Sequence, residues 1–219
     1  LHSGYRVQRI ARGPAGSTGW RVDDAPFDAV VLATTSTEAA RLVLTAHAAH
    51  PTLQGPEAAA LQAWARKAQA LRFTAIATVY AQTAAPPQGT VLSQPMLALR
   101  PGAGQPAQFV FDRMQLGGPA GLLAFVVSAS EGDRATLERE VLQQAQDQLG
   151  LQGLRIVQTV VEKRATFACT PALQRPPQTV ANGLCACGDY VEGPYPATLE
   201  GAVLSGTAAA GTPVAATMA

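Results

Sequence analysis

At 219 residues, with 47% hydrophobic and 14% charged side chains, the chain is long enough to bury a sizeable core in one domain or two small ones. A formal net charge of +1 gives it no electrostatic grip on nucleic acid, so no nucleic-acid partner is expected. No apolar run approaches the roughly 20 residues that span a bilayer, and no basic-then-apolar leader opens the chain.

Tyr5–Ile10 and Gly19–Val22 alternate like two strands around a turn at Gly13-Pro14-Ala15-Gly16. Phe27–Thr35 is a near-continuous apolar run of the kind buried in a parallel sheet. Ser36 or Thr37 then caps a helix to about Ala46, and a second helix is predicted over Pro56–Ala70, with Leu61, Trp64, Ala65, Ala68 and Leu71 as its inner stripe. The middle changes character. Thr74–Ala81, Met96–Leu99, Gln108–Asp112 and Leu122–Ser128 read as successive strands with no helix between them, which predicts a largely antiparallel sheet. Asp133 caps a helix ending at Leu149-Gly150, with Leu137, Val141, Ala145 and Leu149 inward. A strand over Arg155–Glu162 leads into Lys163–Ala168 and a bend rich in proline at Pro171, Pro176 and Pro177.

The most informative stretch follows. Leu184-Cys185-Ala186-Cys187 is an apolar strand that stops at Gly188-Asp189, a short Pro/Gly loop comes next, and a helix of small residues begins at Thr198. An acid at the carboxyl end of a strand can accept hydrogen bonds from sugar-like hydroxyls, and the N–H groups of the following helix favour an anion or an electron-rich carbonyl. Gly201, Ala202, Ser205, Gly206 and Ala209 leave one side of that helix bare, which permits close approach to a sheet or a cofactor and equally serves tight packing. The order is thus α/β, then antiparallel β with a helix, then α/β, as expected of an interrupted nucleotide-binding domain with an inserted sheet. We segment it as 1–48 and 166–219 for the outer domain and 49–165 for the insertion.

These residues carry a resemblance. The Gly188-Asp189 end with Pro196-Ala197-Thr198-Leu199-Glu200-Gly201-Ala202-Val203 and Ser205-Gly206 resembles the C-terminal flavin motif of the amine oxidase and phytoene desaturase group. Lys163-Arg164-Ala165-Thr166-Phe167, Thr170-Pro171, Arg175-Pro176-Pro177 and Phe111-Asp112-Arg113 narrow the likeness to the squalene-associated FAD-dependent desaturases, which are hydroxysqualene dehydroxylases. The resemblance covers nearly the whole chain. It implies the C-terminal portion of a two-domain, Rossmann-like FAD fold with 49–165 as the substrate domain, FAD as cofactor, and an apolar isoprenoid as substrate. Its implied cofactor contacts are Gly188, Asp189, Pro196, Ala197, Thr198 and Leu199, with Val7 at the adenine edge and Ala33 at a strand end that closes on the dinucleotide. For Val7 and Ala33 an ordinary strand role stays open.

Members of that family start with a strand, a G-x-G-x-x-G loop and a helix, whereas this chain starts at Leu1 without them. The expectation is therefore a chain lacking the N-terminal half that grips the pyrophosphate, one that by itself binds FAD weakly. Gly102-Ala103-Gly104-Gln105-Pro106-Ala107 matches G-x-G-x-x-A, but Pro106 stands where a helix should begin. An odd number of cysteines favours reduced thiols in a cytoplasmic compartment, and collecting a squalene-like substrate implies peripheral contact with the inner membrane face. A carotenoid or phytoene desaturase, a flavin amine oxidase, and a non-catalytic α/β fragment without flavin remain open alternatives.

Other candidates read more plainly as structure. His47 and His50 stand three apart with no third ligand in view, so no metal is expected. Cys185 and Cys187 share a strand face, where packing outweighs a redox role, and with Cys169 they make an odd count that fits reduced thiols. Lys163-Arg164 divides between a strand end near the cofactor and a solvated turn, and Asp112-Arg113 between a site and an exposed salt-bridged hairpin. No acid, base or nucleophile stands out, in keeping with chemistry carried by a cofactor. Met96, Leu97, Leu99, Phe109, Phe125 and Val127 are expected to wall an apolar cavity or to pack a core.

Overall fold

The structure, a computed structural model, describes residues 1–14, 19–48, 55–84 and 89–215. Two compact units divide it, Leu1–Arg72 with Phe167–Ala219 and Phe73–Thr166. The architecture is mixed α/β with three sheets, as read from the sequence.

The first unit opens with β1 (Ile10–Arg12), β2 (Trp20–Val22) and β3 (Ala25–Phe27), which form an antiparallel meander. β4 (Val30–Leu32) then feeds α1 (Ser36–Ala48), and α2 (Pro56–Ala70) follows. Ile10, Trp20, Val43, Leu61 and Trp64 form much of this core, each at most 3% exposed. The predicted inner stripe of α2 is buried at all five positions. Trp64 donates its indole N–H to the Pro177 carbonyl (2.7 Å), and Arg12 stacks on Trp20 while pairing with Glu57 (2.5 Å). Those contacts tie α2 to the first unit, and the second compact unit begins at Phe73.

In the second unit, β5 (Phe73–Gln82), β6 (Met96–Ala98), β7 (Phe109–Asp112), a 3-10 turn at Met114–Leu116, β8 (Leu122–Ser128), α3 (Arg134–Leu149) and β9 (Arg155–Phe167) follow in order. The sheet runs β6-β7-β8-β5-β9, and the β6–β7, β7–β8 and β8–β5 pairs are antiparallel, as the missing helices require. Asp133 caps α3 by accepting the Thr136 N–H (2.9 Å), and Gly150 closes it in the left-handed region (φ 68°). Val79, Val110, Phe125, Val127 and Leu99 pack against Leu137, Val141 and Ala145 of α3, with Leu97 partly buried beside them. Four of the six expected wall residues therefore belong to the core. Met96 and Phe109 lie on the other face, 49% and 39% exposed.

The Gly102–Ala107 string forms a closed turn in which Gly102 and Gln105 exchange both backbone hydrogen bonds (2.9 and 3.0 Å). Buried Gln144 of α3 pairs with the Ala107 N–H and C=O (2.8 and 2.9 Å), so the chain passes into β7 and no helix starts there. Asp112 is no exposed hairpin residue. Its fully buried carboxylate accepts from the N–H groups of Val91 (2.8 Å), Leu92 (3.2 Å) and Met114 (3.1 Å) and from the Gln115 amide (3.2 Å). Lys163 and Arg164 occupy exposed positions inside β9, which continues past the expected end at Glu162.

The chain then re-enters the first unit through β10 (Thr179–Ala181), β11 (Leu184–Ala186) and α4 (Leu199–Ala215). β10 pairs antiparallel with β11, and β11 pairs parallel with β4, joining the two outer segments of the sequence in one sheet.

Candidate functional site

The register Leu184↔Val30, Cys185↔Val31, Ala186↔Leu32 brings β4 and β11 to an end at the same level. Cys187 extends the pair by one bond, its N–H donating to the Leu32 carbonyl (3.1 Å). Ala33 and Gly188-Asp189 thus leave neighbouring parallel strands side by side, at the carboxyl edge where open α/β sheets receive ligands. Two candidates from opposite ends of the sequence are brought together in this way.

Helix α4 is stitched to that edge. Ser205 Oγ accepts the Gly188 N–H (2.9 Å) and directs its one proton at the Ala202 and Gly188 carbonyls (2.9 and 3.0 Å). The loop between is braced from below: Arg175 donates to the carbonyls of Val191 (2.7 Å) and Gly193, and the Glu192 N–H reaches the Pro176 carbonyl (2.9 Å). Tyr195 and Ala197 hold left-handed backbone (φ 54° and 59°), and the Ala197 N–H returns to the Asp189 carbonyl (3.3 Å). Pro196 lies between them on an exposed stretch. Thr198 caps α4 as its position predicts, its hydroxyl accepting the Gly201 N–H (3.0 Å) and donating to the Tyr195 carbonyl (2.7 Å). The N–H groups of Leu199 and Glu200 meet no acceptor among the described residues.

Gly201 has a steric reason to be glycine. A Cβ there would lie 2.3 Å from the Tyr195 carbonyl oxygen and 3.2 Å from that of Pro194, so the loop backbone runs directly against the helix. Alanine would gain about 1 kcal/mol of helix propensity but force a backbone shift costing roughly 1–3 kcal/mol. We expect Gly201→Ala to lower stability by about 1 kcal/mol in urea unfolding, whereas a stabilised variant would place the loop away from the helix.

Asp189 is half-buried, and burial raises its carboxyl above the ordinary range while the Arg175 charge pulls the other way. Among the described residues no other residue donates a hydrogen bond to its side-chain carboxyl. Tyr190 beside it is buried, its phenol pushed up by burial, and its hydroxyl has no partner among the described residues. Cys185 and Cys187 are buried free thiols, both raised by burial, whereas Cys169 is exposed.

Val7 sits apart from the strand expected over Tyr5–Ile10. Only Ile10 of that stretch is in β1, and the Val7 carbonyl accepts from Arg41 of α1 (2.7 Å). Arg6 and Arg41 both pair with Glu38 in the first turn of α1, holding its carboxyl down at about 2. Since α1 starts directly after β4, those ion pairs hold Val7 beside the first turns of the helix that follows Ala33. The roles of Arg41, Glu38 and Asp23 in fixing this segment were not legible in the sequence; the one signal was the i, i+3 spacing of Glu38 and Arg41. His50 lies outside the described residues, as do Ala15 and Gly16 of the expected first turn. No group of three His, Cys, Asp or Glu able to hold a metal occurs among the described residues.

The sequence family described as flavin containing amine oxidoreductase matches residues 1–212. The chain belongs to that family. FAD is the cofactor its membership implies, and the edge fits one: a carboxyl in want of donors beside a capped helix start with open N–H groups. Solved structures support the fold. A candidate protoporphyrinogen oxidase from Exiguobacterium sp. 255-15 aligns at a TM-score of 0.56 and 15% identity over 93% of this chain and 46% of its own. An oxidoreductase from Methanosarcina mazei aligns at 0.58 and 16% over 92% and 47%, and a Pyrococcus furiosus protein at 0.56 and 10% over 91% and 45%. The chain thus spans less than half the length of these three solved structures. No curated protein matches it. Among the described residues no helix is long and apolar enough to cross a membrane.

Proposed function

We propose that this chain forms the flavin-facing part and the substrate sheet of an FAD-dependent oxidoreductase that reduces hydroxysqualene to squalene. The observation that carries the flavin reading is the shared carboxyl edge of β4 and β11, with Asp189 and the Thr198-capped start of α4 on it. In this reading Asp189 accepts hydrogen bonds from ribityl hydroxyls, and Gly188, Pro196 and Ala197 shape the loop. The N–H groups at Leu199 favour the electron-rich pyrimidine side of the ring, with Ala33 and Val7 reaching the dinucleotide. When bound and reduced, the flavin supplies the hydride that replaces the departing hydroxyl, which leaves as water with a proton from solvent.

The substrate class rests on the second unit. The cross-strand register puts Met96, Phe111, Ala124 and Tyr80 in one row and Ala98, Phe109, Val126 and Thr78 in the next, on the sheet face opposite α3. Across β6, β7, β8 and β5 neither row carries a charged side chain, which suits recognition of an isoprenoid without charge. Recruitment of such a substrate by peripheral membrane contact follows from its insolubility.

The test incubates protein from the complete reading frame, reductant and FAD with hydroxysqualene, phytoene or a primary amine in detergent. Squalene is the expected product. Turnover of phytoene or the amine, with none of hydroxysqualene, would overturn the substrate assignment and leave the flavin reading standing.

A further inference from the structure

Residues 5–9 lie in no strand; the Arg9 carbonyl accepts the Asp23 N–H (2.9 Å), and two side chains hold other backbone groups of the stretch as a neighbouring strand would. Asp23, itself in left-handed backbone (φ 51°), accepts the N–H groups of Gln8 and Arg9 on one oxygen (3.0 Å each) and the Tyr5 hydroxyl on the other (2.5 Å). From the helix, Arg41 donates to the carbonyls of Val7 and Gln8 (2.7 Å each) while its remaining N–H groups hold Glu38 (2.7 and 3.0 Å). The Arg6 carbonyl takes the Gln8 side-chain amide (3.0 Å). Between these fastened groups the Val7 N–H meets no acceptor among the described residues, and the Val7 carbonyl keeps its second lone pair.

We propose that Arg41 is a positioning residue that fixes the Val7 peptide so that its N–H and C=O read the edge of an adenine ring, and so sets the preference for FAD over FMN. The inference rests on the proposed placement of Val7 at the adenine. Adenine presents a ring-nitrogen acceptor next to an amino donor, a pattern that the N–H and C=O of one residue complement. A planar guanidinium supplies two donors to successive carbonyls while a carboxylate holds its other edge, a fork that an ammonium cannot reproduce. Holding the peptide in its binding conformation lowers the ordering cost of association.

Dissociation constants for FAD and FMN, measured by flavin fluorescence on protein from the complete reading frame, test this in wild type, Arg41→Met and Arg41→Lys. The wild type should prefer FAD. Both variants should lose about 5- to 10-fold in FAD affinity with FMN affinity unchanged, the size of one net hydrogen bond, and Arg41→Lys covers the case in which Arg41→Met fails to fold. Folded variants that keep the wild-type ratio, or that lose FAD and FMN equally, overturn the positioning role and leave the adenine reading intact. Equal affinity of the wild type for the two flavins overturns the adenine reading, and the inference with it.

Discussion

Asp112→Ala should destabilise the second unit by about 3–4 kcal/mol, because it removes a buried carboxylate that serves four donors and leaves them without an acceptor. Three of those donors are backbone N–H groups on both sides of β7, so the carboxylate ties the 91–92 segment and the Met114–Leu116 turn to one strand. The charge matters as well as the shape. Burial pushes the carboxyl up, but the bonds from Gln115, Leu92, Val91 and Met114 outweigh it and hold the group below its ordinary 3.8. A depressed folded value means that the stabilisation is complete above the ordinary value and is lost as pH falls through the folded one. The stability gap between wild type and Asp112→Asn in urea should therefore narrow as pH drops from 7 towards 3. An Asp112→Ala protein within about 1 kcal/mol of wild type at pH 7 would show that the four bonds contribute little net stability.

The parts of the fold legible in the sequence are those fixed by local chemistry. Helices α2 and α3 and strand β8 lie where periodicity and caps put them, since Pro56, Asp133 and Gly150 act within a turn of their own position. Tyr5–Arg9 alternates like a strand and is not one. Its backbone bonds go to Asp23 and Arg41, and a side chain 34 residues away leaves no periodic trace. Alternation along β7 and β8 marks two faces but not which one α3 covers, so the sequence leaves Leu99, Phe125 and Val127 open between cavity wall and core, and they are core. Asp112-Arg113 divides between a site and an exposed hairpin for a related reason: two of the four donors to the buried Asp112 carboxylate come from the 91–92 segment, which has no signal of its own.

The candidate site divides in the same way. Gly188-Asp189 and Pro196–Leu199 lie within a dozen residues of each other, and Thr198 caps the helix that its spacing implies. The neighbourhood of Ala33 and Gly188 depends instead on parallel pairing between strands from opposite ends of the chain, which no local pattern encodes. Ser205 was visible only as one more small residue, yet it fastens α4 to the strand end at Gly188.

Titration of FAD into Asp189→Ala, followed by flavin fluorescence on protein from the complete reading frame, tests the flavin edge most directly. The wild-type carboxyl is drawn out of water with no donor from another described residue, so ribityl hydroxyls would supply the hydrogen bonds it lacks. Each bond to a charged acceptor is worth about 1.5–3 kcal/mol, which corresponds to a loss of roughly 10- to 150-fold. The loss should fall equally on FAD and FMN, since both carry the ribityl chain, in contrast to the FAD-selective effect expected at Arg41. A folded Asp189→Ala protein that binds both flavins as tightly as wild type would contradict the placement of flavin at the β4–β11 edge.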